Sequence, residues 1–364
     1  MSVKRHILVD DMQGKMTVPG KLITALTVSL MMLCGCAVSG MGNNNINEGM
    51  EAISRQEYEQ AMTAFARAQA NGEDQRLTYR GMGIAHMGLG KYEEAESDFL
   101  NALSCSNGLI RKVDYDINYY LAMAQCKTGD YDGAIDTYNA ILDLNEKAAD
   151  AHYLRGRVEL LKNDRDAAIA DFDRAVELKG GDYDLYINIY EGLTASGFKS
   201  EAEGYIRKAL QKNGKMTKYQ SGMFAYYLGN YDEARSYLES ARESGDSDPV
   251  ILYLGRSYEA LGDVNYAATL YSDYIDKGNA GASIYNELGL IRLKKGEYDD
   301  ALKAFQGGME LNDPSYSQSI MFNEAVTYEY LYDFKKAAVL MKEYLDKYPD
   351  DEEAQREYVF LSTR

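Results

Sequence analysis

Apolar residues recur along this chain at two spacings, one within a helical turn and one about 34 residues long. A small residue marks the long period: Ala61, Ala95, Ala134, Ala168, Ala202, Ala234, Ala267, Ala301 and Ala337, at intervals of 34, 39, 34, 34, 32, 33, 34 and 36 residues. Four residues later stands a large apolar group, in order Phe65, Phe99, Tyr138, Phe172, Ile206, Leu238, Tyr271, Phe305 and Met341. Twelve residues before each alanine lie Gly49, Gly83, Ala122, Gly156, Tyr190, Gly222, Gly255, Gly289 and Ala325, among which only Tyr190 is large. Steps of three and four share one helix face. Tyr79, Met82, Gly83 and His86, or Ile251, Leu254, Gly255 and Tyr258, therefore outline a first helix, and Ala267, Tyr271 and Tyr274 a second. Small residues on both faces let the two helices approach closely, while large ones fill the grooves beside them.

The connections repeat as well. Gly90, Gly129, Gly229, Gly262 and Gly296 supply the left-handed residue that ends a helix. Asp130, Asn230 and Asp263 follow as N-caps, and Glu233 stands where a capping box with Asn230 would want it. The unit is a helix–turn–helix that cannot bury its apolar face alone, so its stability comes from its neighbours.

This pattern resembles the tetratricopeptide repeat: an aromatic residue, then Leu-Gly, and later Ala-x₃-Phe. Tyr285, Leu288, Gly289, Ala301 and Phe305 carry it most completely. Nine units cover roughly residues 42–351. The closing proline of the family occurs only near Pro314 and Pro349. Unit five, with Tyr190 after Gly180-Gly181, is read as repeat drift, and an insertion around Asn107 to Lys112 as a surface loop. The resemblance implies an all-α fold: a right-handed α-solenoid of about nine helix pairs, first helices on the concave face. Residues 352–364, with Ala354, Tyr358 and Leu361 on one side, form the expected C-terminal capping helix.

The N-terminal segment follows a different pattern. After Lys4, Arg5, Lys15 and Lys21, residues 22–33 run without a charge. Such a run suits the apolar heart of a signal peptide and falls short of the ~20 residues that span a bilayer as a helix. Leu33-Cys34-Gly35-Cys36 then resembles the bacterial lipobox, which implies lipid attachment at Cys36 and removal of residues 1–35. The expected organisation is a signal peptide at 1–35, a lipidated cysteine and flexible tether at 36–46, the repeat array at 47–351 and the cap at 352–364. Two acyl chains would hold the body on a cell membrane, on its extracytoplasmic side.

With 39 basic and 57 acidic side chains the chain carries −18, and loss of the leader deepens this to −20. That balance argues against nucleic acid. The three histidines have no partner at metal-ligand spacing, so neither metal nor cofactor is expected. Acidic pairs such as Glu93-Glu94 and Asp299-Asp300 open second helices, where they complement the helix dipole. Neither a phosphate loop nor a nucleophile elbow is present, so no catalytic residue and no reaction is assigned.

In proteins of the resembling family, ligands lie on the concave face. Carried over by register, the candidate contacts are Tyr119 in unit three, Tyr153 and Arg157 in unit four, and Tyr219, Met223, Tyr226 and Tyr227 in unit six. Arg256 in unit seven and Phe322 and Tyr330 in unit nine complete the set, with Glu259, Asn286 and Lys294 on the same register. Binding surfaces favour Tyr, Met and Arg for their large contact area and adaptable polar tips. A clamp for chaperone-tail carboxylates is not expected, because Ile46 and Met50 occupy the early positions it uses. The expected function is a membrane-anchored scaffold that binds a protein or peptide, of basic character by charge. The alternative is a lipoprotein that captures a glycan or small solute.

Overall fold

The computed structural model describes residues 42–106, 110–212 and 214–364, and these fall into two compact units, 42–198 and 199–364. Cys36, expected to carry the lipid, and the segment expected to be the leader lie outside the described residues. Among the described residues every regular element is an α-helix, and none is long and apolar enough to cross a membrane. The first unit holds α1 (Asn44–Ser54), α2 (Tyr58–Ala70), α3 (Gln75–Gly88), α4 (Tyr92–Ser104), α5 (Lys112–Thr128), α6 (Tyr131–Leu144), α7 (Ala149–Leu161), α8 (Arg165–Leu178) and α9 (Tyr183–Ala195). The second holds α10 (Lys199–Leu210), α11 (Lys218–Tyr227), α12 (Tyr231–Arg242), α13 (Asp248–Ala260), α14 (Val264–Asp276), α15 (Ala282–Lys294), α16 (Tyr298–Glu310), α17 (Pro314–Tyr330), α18 (Phe334–Lys347) and α19 (Glu352–Leu361). Helix α1 starts at Asn44, three residues inside the stretch expected to be tether.

All nine ladder alanines and all nine large residues four positions on are completely buried. The glycines twelve residues before the ladder explain how. A methyl group at Gly49 would lie 2.5 Å from the Phe65 ring, at Gly83 2.5 Å from Phe99, at Gly222 2.6 Å from Leu238 and at Gly289 2.4 Å from Phe305. In these pairs the large side chain of the second helix thus fills the space left by a missing Cβ on the first helix. Close backbone approach and a filled groove are one device here, and the dense packing of interiors makes it exacting.

The turns keep the same register. Five residues before every ladder alanine the backbone is left-handed, at Gln56, Gly90, Gly129, Asn163, Gly197, Gly229, Gly262, Gly296 and Tyr332. Glycine or asparagine suits that conformation; Gln56 and Tyr332 accept it at a cost of roughly 1 kcal/mol each. Asp130 caps its helix as expected, accepting from the Gly133 amide at 3.0 Å. The caps expected at Asn230 and Asp263 are not made: both stand at the N-cap without a side-chain hydrogen bond, and the Asn230–Glu233 capping box does not form. In both, the left-handed glycine before the cap already sets the chain's entry into the next helix.

Within each unit consecutive helices pack, and consecutive first helices also touch: α1–α3, α3–α5 and α7–α9 in one unit, α11–α13, α13–α15 and α15–α17 in the other. Second helices lack comparable mutual contacts among the described residues. First helices therefore crowd the inner side of each stack, the side on which groups from successive repeats can meet.

Two buried charges hold the edges. Glu73 accepts from the Asn45 and Ile46 amides at 3.1 and 3.0 Å and so caps α1 from the loop between α2 and α3. Arg76 pairs with Asp114 at 3.0 Å and donates to the Cys105 carbonyl at 3.2 Å, gripping both ends of the insertion between units two and three. At the other end, α19 packs on α18 with Ala354 and Leu361 buried and Tyr358 half-buried, capped by Asp351.

Candidate functional site

In the first unit the candidate contacts are largely tied into the packing. The Tyr119 ring lies 6.2 Å from that of Tyr138, and the Tyr153 ring 6.0 Å from that of Phe172. Burial, with Asp150 and Tyr115 nearby, pushes the Tyr119 hydroxyl up to about 12. Arg157 is 4% exposed and donates to the Tyr153 hydroxyl at 3.3 Å, its guanidinium 5.8 Å from that ring. It is an internal brace rather than an open contact.

The second unit sorts its candidates differently. Met223 is fully buried and joins the core, because the position after Gly222 turns toward the neighbouring helices rather than outward. Phe322 packs 5.6 Å from Tyr344, and Tyr330 stacks on Tyr298 at 5.6 Å, so neither reaches the other candidates. Tyr219 is half-buried against the core of this unit.

Tyr226, Tyr227 and Arg256 do come together, on the first helices α11 and α13. The ring of Tyr226 lies 5.1 Å from Tyr253, 5.5 Å from Tyr231 and 6.1 Å from Tyr227, edge to face in each case. Tyr227 and Tyr253 are 5.8 Å apart, with their hydroxyls 3.2 Å from each other. Edge-to-face contacts of this kind add roughly 0.5–1.5 kcal/mol beyond burial and fix the ring orientations. The Arg256 guanidinium lies 5.5 Å from the Tyr253 centroid, while its Nε donates to Glu287 Oε1 at 3.1 Å and Nη2 donates to the same oxygen. The Glu287 side chain is only 3% exposed and that of Arg256 21%. Burial, the largest single influence, would lower the guanidinium pKa; the Glu287 carboxylate together with Tyr253, Tyr226 and Tyr271 outweighs it and raises that pKa well above its ordinary value.

One turn further along α13, Glu259 is half-buried, and its Oε1 is buried without a hydrogen-bond partner among the described residues. Burial, then repulsion from Glu287, pushes this carboxyl up to about 7, against partial relief from Lys294, Arg256 and the Tyr271 hydroxyl. Asn286 on α15 is completely buried and accepts from Asn323 Nδ2 at 3.0 Å, linking α15 to α17. The cluster is thus an aromatic wall with a guanidinium fixed at its base and a poorly satisfied carboxylate beside it. Neither a nucleophile–base pair nor a metal-ligating group of residues stands in it.

Sequence reasoning missed Tyr253, Tyr231 and Glu287. Tyr253 lies one turn before Arg256 on the same helix, a spacing that places both on one face. Glu287 follows Arg256 by one repeat interval less three residues, and the ion pair Arg80–Asp116 in the first unit obeys the same rule.

The sequence model of the tetratricopeptide-repeat family matches residues 80–147, 119–183 and 252–310. Among solved structures, yeast Tom70 is similar at 16% identity over 90% of this chain and 65% of that one, with a TM-score of 0.52. A tetratricopeptide repeat protein from Parabacteroides merdae ATCC 43184 has 17% identity over 79% and 99% of the two chains, TM-score 0.48. YrrB, described as a TPR protein with an unusual peptide-binding site, has 21% identity over 57% and 98%, TM-score 0.38. At these identities the likeness bears on the fold alone. Residues 80–147, 119–183 and 252–310 thus resemble tetratricopeptide repeats in sequence, and they lie within the helix pairs described above.

Proposed function

We propose that the protein is a non-enzymatic binding scaffold, held at the extracytoplasmic face of a bacterial membrane by lipid on Cys36, that grips a protein or peptide segment through the inner face of α11 and α13. The observation that carries this reading is the Tyr226–Tyr227–Tyr253–Arg256 cluster. Its rings and guanidinium are fixed by one another and by Glu287, yet Tyr226, Tyr253 and Arg256 keep part of their surface open. Preformed aromatic and arginine side chains of this kind dominate binding energy because little conformational freedom is lost on contact. The net charge of the chain favours basic partners through long-range steering.

Cross-linking in intact envelopes followed by affinity capture tests the reading. Capture of a common partner by the wild type, lost in a Tyr226→Ala/Tyr253→Ala variant of unchanged helicity, is the expected result; equal capture by both refutes the assigned face. Metabolic labelling with palmitate tests the anchor separately, and Cys36→Ala is expected to abolish the label and release the protein from membranes.

A further inference from the structure

Glu259 differs from Arg256 and Glu287 in that no ion pair among the described residues answers its charge. The groups that face it are Arg256 on its own helix, Glu287 and Lys294 on α15, Tyr271 on α14 and Tyr226 on α11. Arg256 is committed to Glu287. The Tyr271 hydroxyl, the smallest of the groups that relieve Glu259, donates to the Leu252 carbonyl at 3.1 Å. Lys294 is exposed and eases the Glu259 charge without forming an ion pair with it among the described residues. Glu287 adds repulsion. What remains is a half-buried carboxylate with one oxygen lacking a donor among the described residues, one turn from Arg256 at the base of the aromatic wall and within electrostatic reach of the half-buried Tyr226.

A cationic group supplies what this arrangement lacks. An ammonium or guanidinium donates charge-assisted hydrogen bonds to a carboxylate, and it is attracted to the face of a neighbouring tyrosine. We propose that Glu259 seats a lysine or arginine side chain of the bound segment against Tyr226, so that this face selects basic peptides. The proposal rests on the binding role argued above and adds to it the chemistry of the partner and the residue that reads it. An anionic or purely apolar segment would leave the Glu259 oxygen buried and unsatisfied, which costs affinity.

The arrangement also predicts a proton-linked signature. A carboxyl that is half-protonated near pH 7 must lose its proton to pair with a cation, so binding weakens as pH falls through that range. Hexalysine amide serves as the probe, titrated calorimetrically into the purified protein at pH 8 and pH 6, in two buffers of different protonation heat. The variants are Glu259→Gln, Glu310→Gln and Tyr226→Ala; Glu310 is exposed, and its loss changes net charge equally. In the wild type and Glu310→Gln, affinity is expected to fall about tenfold between pH 8 and pH 6, with proton release on binding near pH 7. In Glu259→Gln, affinity at pH 8 is expected to be about tenfold lower, with the pH dependence and the proton release gone.

Equal behaviour of Glu259→Gln and Glu310→Gln overturns the proposal, as does hexaglutamate binding as tightly as hexalysine. If Tyr226→Ala abolishes binding while Glu259→Gln leaves affinity and pH profile intact, the binding face stands and the cation seat falls. If neither substitution has an effect, both fall.

Discussion

Gly255 offers the sharpest test of how the helix pairs close. A methyl group there would lie 2.2 Å from Tyr271 Cζ and 2.3 Å from its hydroxyl oxygen, far inside van der Waals contact. Tyr271 is completely buried and its hydroxyl donates to the Leu252 carbonyl, so the ring has no free direction in which to yield. Pair three shows what happens when an alanine occupies the slot: Ala122 faces Tyr138, whose buried hydroxyl has no hydrogen-bond partner among the described residues. Gly255→Ala is therefore expected to push Tyr271 toward the Tyr138 arrangement and break its hydrogen bond. A stranded buried hydroxyl costs about 1–3 kcal/mol and overpacking a similar amount, against about 1 kcal/mol gained in helix propensity. The net loss is about 1–5 kcal/mol, and the larger side chain of Gly255→Val should exceed that of Gly255→Ala. Gly192, whose added methyl would meet only Leu160 at 3.7 Å, is the control; Gly192→Ala should be neutral or stabilising by up to about 1 kcal/mol. Repeat arrays can unfold in parts, so urea titration by circular dichroism is best joined with hydrogen exchange, which should place the loss in α13 and α14. Gly255→Ala/Tyr271→Phe should recover part of the stability by removing the stranded hydroxyl. Gly255→Ala melting at or above the wild type, or losses of equal size at Gly255 and Gly192, would refute the packing argument.

Three further outcomes follow from the same geometry. Tyr332 is left-handed at φ 61° and 81% exposed, so Tyr332→Gly should raise stability by about 0.5–1 kcal/mol in thermal melts. Glu287→Ala leaves the Arg256 guanidinium buried without its counter-charge and should cost about 3–5 kcal/mol in denaturant titration, whereas Arg256→Met/Glu287→Met should cost far less. Glu259 titrates near 7 in the fold but near its ordinary 4.5 when unfolded, so between those values the native state holds more protons and stability falls as pH rises. Glu259→Gln should accordingly stabilise by up to about 3 kcal/mol at pH 8 and by little at pH 4, as read from paired urea titrations.

The helix pairs were legible because their packing is local and periodic. Each glycine twelve places before a ladder alanine meets the large residue sixteen places after itself, so Gly49 with Phe65 and Gly289 with Phe305 repeat one contact. Even the left-handed residue at Tyr332, which no residue preference would suggest, could be placed by counting five back from Ala337. Capping was less legible. Asp130 and Asn230 occupy the same place in their pairs, yet only Asp130 makes the bond, since a left-handed glycine shapes both turns and leaves the cap optional.

The binding face was legible only in part, and the reason lies in what a register specifies. Register tells which residues of a first helix avoid the core of their own pair; it does not tell which of them is consumed by the next pair. Arg157 and Arg256 stand at equivalent positions, one residue after Gly156 and Gly255. Arg157 turns to Tyr153 within its own helix and is buried, whereas Arg256 reaches across to Glu287 and keeps an open edge. What differs is the adjacent repeat: Glu287 stands one interval less three residues after Arg256, the diagonal offset that also joins Arg80 to Asp116. That offset is the distance at which side chains from neighbouring first helices converge, so it identifies the cations that are braced by the next repeat. The same diagonal logic explains Glu259. It lies one turn beyond Arg256, whose guanidinium is paired with Glu287 and relieves it only in part, and so the brace that fixes the guanidinium is also what leaves this carboxylate in need of a cation from outside.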